Sequence, residues 1–282
     1  MIRGPTHTLV NLKIERKGAS GPLTMAMERV HIFLTTVFET ENDGILVLRL
    51  KSFNQNTARS MAKKLENARA RLADGLRGLV LDLRGNPGGL LKQSIKVADL
   101  LLTQGKIVST QGRHAESIHS YEAGGQDLAF GLPVLVLVDG KSASAAEIVA
   151  AALQDRDRAV VIGTSSFGKG SVQTILPLPV EGGIRMTTAL YYAPNGNTIQ
   201  ARGVAPDIFL SPSKEIKQRR ESDLPGALPA VGKEKWKAKN RPTVPEDACP
   251  PVGEKEDRQL GCALALLHAG PAKNFLAMID GL

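Results

Sequence analysis

Two short segments contain the residues whose types and surroundings could do chemistry. Ser144 stands between small residues, directly ahead of the helix-like run 145–155. Lys169 stands between two glycines, just after the apolar, strand-like run 159–163. A serine whose proton is taken by a lysine is a known variant of nucleophilic catalysis. The pair therefore indicates an enzyme that transfers acyl groups.

Ser144 also fits a structural role. Residues 144–147, Ser-Ala-Ala-Glu, match a capping box, in which the serine oxygen accepts from a helical amide and Glu147 reaches back to the N-cap amide. The neighbouring alanines leave the hydroxyl accessible, and a helix N-terminus supplies unpaired amides that suit an oxyanion. These features permit a nucleophile without requiring one.

Lys169 also has an alternative to a catalytic role, because a lysine in a glycine-rich turn is ordinarily a solvated surface charge. A general base must be uncharged when it takes the proton, which requires desolvation or a neighbouring positive potential. Phe167 and Val172 can provide apolar surroundings. Gln173, four residues further on, can hold the amine by a hydrogen bond without charging it.

Two other sites compete with the serine–lysine pair. Residues 163–169 satisfy the first seven positions of a phosphate-binding loop, but the eighth is Gly170 and the following residues are typical of a strand, so a phosphate would lack a helix N-terminus. His114 and His119, in a polar loop, offer a serine–histidine pair. No metal-type pair such as His-Glu-x-x-His occurs, and neither a metal nor an organic cofactor is predicted.

The turn Arg84-Gly-Asn-Pro-Gly88-Gly89 follows a predicted buried strand, at the end of the sheet where α/β ligand sites gather. The amide of Gly88 or Gly89, together with that of Ala145, can stabilise a developing oxyanion. A plain strand-to-helix connection explains the turn equally well. Asp82 is expected to hydrogen-bond this turn rather than to take part in catalysis.

The elements that must position these residues alternate along the chain. This alternation, with short loops, predicts an α/β fold with mostly parallel strands, followed by a hairpin over 172–192. Two further strands are expected at 8–16 and 30–38, and residues 213–255 are expected to be flexible. The core strands are predicted at 44–50, 78–83, 132–138 and 159–163, and the helices at 56–72, 90–102 and 145–155, with short C-terminal helices at 259–267 and 272–279.

The net charge of +8 does not indicate a nucleic-acid partner, because the basic residues are scattered and no aromatic residues are interleaved with them. A solvated basic tail over 214–239 is the favoured interpretation, with peripheral contact to an anionic membrane as the alternative. No apolar run is long enough to span a membrane, and the first residues do not form a signal peptide. Cys249 and Cys262 can pair in an oxidising compartment.

Five linked motifs resemble the carboxy-terminal processing proteases, also called tail-specific proteases. The resemblance runs in consistent order from about Gly44 to Ile208. The motifs are Asp82-Leu-Arg-Gly-Asn-Pro-Gly-Gly89, Ser142-Ala-Ser-Ala-Ala-Glu147, Ala152-Leu-Gln-Asp155, Phe167-Gly-Lys-Gly-Ser-Val-Gln173 and Tyr191-Tyr-Ala-Pro-Asn-Gly196 followed by Ile199-Gln200.

The resemblance implies a ClpP/crotonase-like α/β protease core that hydrolyses peptide bonds near unstructured protein C-termini. It implies that Ser144 is the nucleophile, Lys169 the general base and Gln173 the residue that orients the lysine. The implied oxyanion donors are the amides of Ala145 and of Gly88 or Gly89. Relatives are usually periplasmic or membrane-associated. An oligomer is compatible with these residues, as is a monomer.

Residues 1–35 resemble the last third of a PDZ domain, residues 36–212 the protease core, and residues 213–282 a flexible tail with short helices. The peptide-binding groove of the PDZ domain would precede Met1, so the chain is expected to be truncated, in nature or by start-site assignment. Two alternatives to the peptidase follow. One is a non-catalytic peptide-binding remnant, and the other is a crotonase-type acyl-CoA enzyme.

Overall fold

In a computed structural model, the protein divides into two compact units. The units are Met1–Thr35 and Thr36–Leu282. The described residues are 2–32, 34–213, 218–231 and 241–280.

The first unit contains an antiparallel hairpin of β1 (Leu9–Ile14) and β2 (Leu23–Glu28). The predicted strand over 30–38 is wrong, since the described residues between Glu28 and Val37 form no strand. Strand β2, the partner of β1, was not predicted. It is exposed along its whole length, so it need not show the alternation of apolar and polar residues that is expected of a half-buried strand. The assignment of this unit to a PDZ domain stays a prediction.

The second unit contains two sheets. Its strands are β3 (Val37–Asn42), β4 (Ile45–Leu50), β5 (Gly78–Asp82), β6 (Lys106–Gly112), β7 (His119–Glu122), β8 (Val134–Val138), β9 (Val160–Gly163), β10 (Ser171–Pro177), β11 (Gly183–Tyr192), β12 (Ile208–Ser211) and β13 (Thr243–Pro245). One sheet has the order β13-β12-β9-β8-β5-β4-β3, and the other has the order β10-β11-β6-β7.

The larger sheet is parallel at every pairing except β3 with β4. The predicted α/β fold with a mostly parallel sheet is therefore confirmed. Strands β5 and β8 are buried over their whole length, as expected when helices cover both faces of a parallel sheet. The predicted hairpin is β10 with β11, which pair antiparallel.

The helices cover the two faces of this sheet. They are α1 (Thr57–Leu72), α2 (Leu91–Asp99), α3 (Ala145–Asp155), α4 (Arg258–Ala269) and α5 (Ala272–Asp280). Helices α1, α2 and α3 share one apolar cluster with the sheet, whereas α4 and α5 contribute to a second cluster. Helix α3 is buried from Ala145 to Leu153, so it lies within the core rather than on its surface.

The flexible tail predicted for 213–282 needs correction in the part that the structure describes. Strand β13 extends the large sheet, and the apolar side chains Leu264, Leu266 and Phe275 are buried in the second cluster. The sequence did not predict this packing, because 213–255 is rich in charged residues and because α4 covers strands that are far away in the sequence. Among the described helices, none combines the length and apolarity needed to cross a bilayer.

Candidate active site

Ser144 lies between β8 and α3, as the N-cap residue of the helix. Its φ of 54° and ψ of −112° put a non-glycine residue in a sparsely populated region of backbone conformation. Such residues cost on the order of 1–3 kcal/mol and cluster at functional sites. The surrounding structure must therefore hold this serine in place.

Two backbone hydrogen bonds hold the residues just before Ser144. The Ala143 amide donates to the Asn86 carbonyl at 2.9 Å, and the Phe167 amide donates to the Ser142 carbonyl at 3.0 Å. The first bond docks the turn at 84–89 against the serine, and the second docks the loop that carries Lys169. Segments far apart in the sequence thus meet on either side of one short stretch of backbone.

Buried polar side chains complete this framework. The Ser142 hydroxyl donates to the Leu83 carbonyl at 2.8 Å and accepts the Asp139 amide at 2.9 Å. The Asn86 side-chain amide donates to the Leu50 carbonyl at 2.8 Å. Both side chains are fully buried, so removing either would leave backbone groups without partners.

Glu147 connects the serine to the lysine loop. Its Oε2 accepts the amides of Ser144 at 2.7 Å and Lys169 at 2.9 Å. Its Oε1 accepts the Gly168 amide at 2.6 Å and the Ser166 hydroxyl at 2.5 Å. Because one oxygen binds both the Ser144 and the Lys169 amide, these two nitrogens lie at most about 6 Å apart. The carboxylate part of the predicted capping box is formed, and it does more than cap the helix.

The environment of Glu147 is unusual for a carboxylate, since the side chain is fully buried. Burial raises the pKa of Glu147 to about 7, although the hydrogen bonds from Ser166 and from the amides of Gly168, Ser144 and Lys169 oppose the shift. All four partners are neutral donors, and they disperse whatever negative charge the group carries.

The glycines on either side of Lys169 are required by close backbone contacts. A Cβ on Gly170 would lie 2.2 Å from the amide nitrogen of Gln200, and Gly168 has a φ of +96°. The Gly170 carbonyl also accepts the Tyr191 amide at 2.7 Å. The lysine is thus presented from a backbone that is packed on both sides, and its own side chain is half-buried.

The two glycines predicted as oxyanion donors differ. Gly88 packs against the nucleophile, since a Cβ on it would lie 2.9 Å from the Ser144 Cβ and 3.0 Å from the Ala145 nitrogen. Its amide, however, already donates to the Asn86 side-chain oxygen at 2.8 Å. Within the described ranges, the amide of Gly89 has no hydrogen-bond acceptor, and neither has that of Ala145.

Gln173 does not lie against the lysine in this structure. Its side chain is exposed, and a β-bulge between Val172 and Gln173 shifts its register against β11. No hydrogen bond joins Gln173 to Lys169 in the described part of the chain. The predicted role of Gln173 therefore stays a prediction.

Asp82 bonds to the turn, as expected. Its Oδ1 accepts the Arg84 amide at 3.0 Å, and both of its oxygens accept from the Arg84 guanidinium. Arg84 also pairs with Asp257, the N-cap residue of α4, at 2.7 Å. Burial alone would lower the pKa of Arg84, but its hydrogen bonds to the two carboxylates outweigh this and raise it. The C-terminal helix is thereby fixed to the turn that carries Gly88.

The sequence model of one protein family, peptidase family S41, matches residues 44–210, from the start of β4 into β12. The match includes every candidate residue of the site. The chain belongs to peptidase family S41. The alternative of a crotonase-type acyl-CoA enzyme is therefore not favoured, although the layered α/β fold alone was compatible with it.

Relatives of the S41 chain carry consistent names. A carboxy-terminal-processing protease of Bartonella bacilliformis is 42% identical over 268 residues, which cover 95% of this chain and 62% of that protein. A carboxyl-terminal-processing protease of Synechocystis sp. is 37% identical over 211 residues, covering 73% of this chain and 48% of that protein. The solved structure of a photosystem II D1 C-terminal processing protease matches with a TM-score of 0.57 at 31% identity, over 74% of this chain and 57% of that one. The S41 chain thus spans less than two thirds of the length of each.

The structure also bears on the two competing sites. The competing phosphate-binding loop is not favoured, because the amides of Gly168 and Lys169 donate to the Glu147 carboxylate and a strand follows them. His119 lies in β7, three strand spacings from β10, which is roughly 14 Å from the strand that Lys169 precedes. No described group of three or more His, Cys, Asp or Glu side chains is arranged to hold a metal ion.

Sequence reasoning missed three parts of this S41 site. It treated Glu147 only as a cap, and it assigned no role to Asn86 or Ser142. A signal existed for Asn86, because an asparagine in a turn with two following glycines commonly bonds to nearby amides. For Glu147 the sequence contained no such signal, because no neighbouring residue indicates that its carboxylate contacts a loop more than 15 residues away.

Proposed function

We propose that this chain is the catalytic core of a serine endopeptidase that cleaves proteins near unstructured C-termini. The observation that carries the proposal is the Glu147 carboxylate, whose Oε2 binds the amides of both Ser144 and Lys169. A lysine side chain is long enough to bridge the separation that this shared acceptor allows. The half-buried Ser144, at the first turn of a helix, is then the nucleophile.

In the proposed reaction, the Ser144 Oγ attacks the scissile carbonyl carbon while its proton passes to the Lys169 Nζ. The tetrahedral intermediate collapses, the C–N bond breaks, and the lysine returns that proton to the leaving amine. Water then attacks the acyl-enzyme, again giving a proton to Lys169, and this proton returns to Ser144 when the acid is released. We retain Gln173 as the residue that orients the lysine amine.

Two backbone amides are proposed to stabilise the oxyanion. One is the Ala145 amide, at the N-terminus of α3, where the helix dipole favours negative charge. For the other we favour Gly89 over Gly88, because the Gly88 amide is already bound to Asn86. Donors of this kind are worth about 2.7–4 kcal/mol of transition-state stabilisation each.

Substrate and compartment are proposed from the relatives and from one covalent feature. Because the relatives are C-terminal processing proteases, the substrates proposed are proteins with unstructured C-termini. Cys249 and Cys262 form a disulfide, which favours an oxidising compartment such as the periplasm. Contact with a membrane surface and oligomerisation remain proposals, as does the PDZ-like character of residues 1–35.

Cleavage of an unstructured fluorogenic peptide tests the mechanism. We expect Ser144→Ala and Lys169→Ala each to lower kcat by about 10⁴-fold or more, because either change removes a group that acts in bond formation. Lys63→Ala, on the exposed surface of α1, is the matched control and should remain active. Full activity in either site variant would refute the dyad.

An acylating probe provides a second measurement. It should label Ser144 in the parent chain, and Lys169→Ala should slow this labelling. A folded chain that neither cleaves the peptide nor reacts with the probe would instead favour the non-catalytic remnant.

A further inference from the structure

A cavity of about 610 Å³ opens beside the proposed dyad. Ala143, the residue before the nucleophile, and Lys169 both line it, so whatever fills the cavity lies next to the proposed base. Pro87, from the turn that carries Gly88, forms another wall, and Arg219 lies in a segment beyond the matched family region.

The charge of this cavity is one-sided. Besides the proposed base Lys169, two cationic side chains line it, Lys141 and Arg219, and the one carboxylate among its lining residues is Asp139. Asp139 Oδ1 is already engaged, because it accepts the amides of Gly85 at 2.9 Å and Lys141 at 3.0 Å. In the part of the chain that is described, neither Lys141 nor Arg219 forms an ion pair. Among the described residues, no ion pair therefore offsets the positive charge of Lys141 and Arg219.

The wall that carries Arg219 is anchored to the lysine loop. The Glu221 amide donates to the Phe167 carbonyl at 3.1 Å. The Gln218 side chain lies directly over Gly140, where any Cβ would collide with its Oε1. Arg219 lies between these two attachments, so its position is set by contacts with the lysine loop and with the loop that precedes Ser144.

We propose that this cavity binds a carboxylate of the peptide substrate, through Lys141 and Arg219. The proposal rests on the proposed peptidase function, because Lys169 lines the same space. A guanidinium can bind a carboxylate through two parallel hydrogen bonds, and an ammonium adds a point charge. The carboxylate has two sources, the terminal α-carboxylate of the chain being cleaved or an acidic side chain near the scissile bond.

Three labelled peptides of one unstructured, otherwise uncharged sequence test this. The first ends in a free carboxylate, the second in an amide, and the third is the amide with one internal glutamine replaced by glutamate. Their dissociation constants are measured by fluorescence anisotropy with the full chain carrying Ser144→Ala, so that nothing is cleaved. We expect at least one of the two carboxylate peptides to bind about tenfold more tightly than the plain amide. This ratio should shrink as salt is raised.

Variants assign the effect to the cavity. In the Ser144→Ala background, Lys141→Gln with Arg219→Gln should reduce the ratio to near one. Lys63→Gln, the matched removal of a distant exposed charge, should leave it near tenfold. Arg219→Lys alone keeps the charge and should keep most of the preference for the carboxylate peptides. This single variant provides a second measurement if the double variant does not fold. Equal binding of all three peptides, or a preference that survives in the folded double variant, would overturn the proposal.

The same measurements separate this proposal from the peptidase itself. If the Ser144→Ala chain prefers carboxylate peptides but the parent chain cleaves none of them, the carboxylate site stands and the peptidase assignment fails. If the parent chain cleaves the peptides while the Ser144→Ala chain binds all three equally, the peptidase stands and the carboxylate site fails.

Discussion

At the scale of single residues, Glu147 is the group on which the site depends. A buried carboxylate is costly unless it is hydrogen-bonded, and here four donors meet it, two of them the amides of the proposed nucleophile and base. Each donor would be left unsatisfied if the acceptor were lost, at about 1–3 kcal/mol for a buried group. The same carboxylate thus links local stability to the geometry of the dyad.

The raised pKa of Glu147 predicts how stability changes with pH. The carboxyl titrates near 4.5 when unfolded and near 7 when folded, so between these values the folded state binds more protons. Folding is therefore favoured at the acidic end, and this contribution is lost as pH rises through 7, by about 3 kcal/mol in all. We therefore measure the free energy of unfolding by urea denaturation from pH 4.5 to pH 8, for the parent chain and for Glu147→Gln. The advantage of the parent chain over the variant should fall as the pH rises from 4.5 to 7.

The control for this experiment is Glu66→Gln, on the exposed side of α1, which also removes one carboxylate. The free energies of unfolding of Glu66→Gln and of the parent chain should differ by the same amount throughout this pH range. Parallel pH curves for the parent chain and Glu147→Gln would contradict the assigned cause, namely burial of the Glu147 side chain.

At the scale of elements, the site is a junction of segments that approach one another through glycines. The loop between β9 and β10 runs so close to residues 199–203 that Gly170 has no room for a side chain. The turn after β5 approaches the start of α3 equally closely at Gly88. Close-packed backbones of this kind tolerate little added volume.

Gly170→Ala should therefore damage the fold and the site together. A methyl group there would meet the Gln200 amide, which is backbone and cannot swing aside. We expect a loss of about 1–3 kcal/mol in the free energy of unfolding and a larger relative loss in peptide cleavage. Gly75→Ala is the control, because that glycine has open space around it and no positive φ. Equal effects of the two changes would show that the contact at Gly170 is not restrictive.

At the scale of the whole molecule, the C-terminal helices complete the second face of the sheet. Helix α4 is tied to the rest of the chain by burial, by the Arg84–Asp257 pair and by the Cys249–Cys262 disulfide. The disulfide closes a loop with a sequence separation of 13 residues, which in the chain-entropy picture is worth about 3 kcal/mol. The described part of the region beyond the matched family residues therefore belongs to the folded unit.

Reduction of this disulfide should cost stability. We expect a reducing agent to lower the free energy of unfolding of the parent chain by about 3 kcal/mol, measured by urea denaturation. A chain with both Cys249→Ala and Cys262→Ala should be less stable from the outset and insensitive to the reducing agent. A parent chain whose unfolding midpoint does not move on reduction would contradict a structural role for the bond.

The class of fold and the candidate residues of the site could be predicted from the amino-acid sequence, because both depend on residues that are close together along the chain. Short, mostly apolar runs bounded by turn residues, such as 78–83 and 134–138, are typical of strands buried on both faces, and parallel strands need helical crossovers between them. The serine at the start of a helix and the lysine between two glycines could also be predicted, because their neighbours along the chain identify them.

The contacts between distant parts of the chain could not be predicted from the sequence, because they depend on the three-dimensional arrangement of the strands and helices. This arrangement places the Glu147 carboxylate between the Ser144 and Lys169 amides, occupies the Gly88 amide with Asn86, and packs α4 onto strands that precede it by more than 100 residues. Each of these contacts joins segments that are distant in the sequence, and the order of strands in the sheet sets which distant segments become neighbours. No local pattern of residues carries that information.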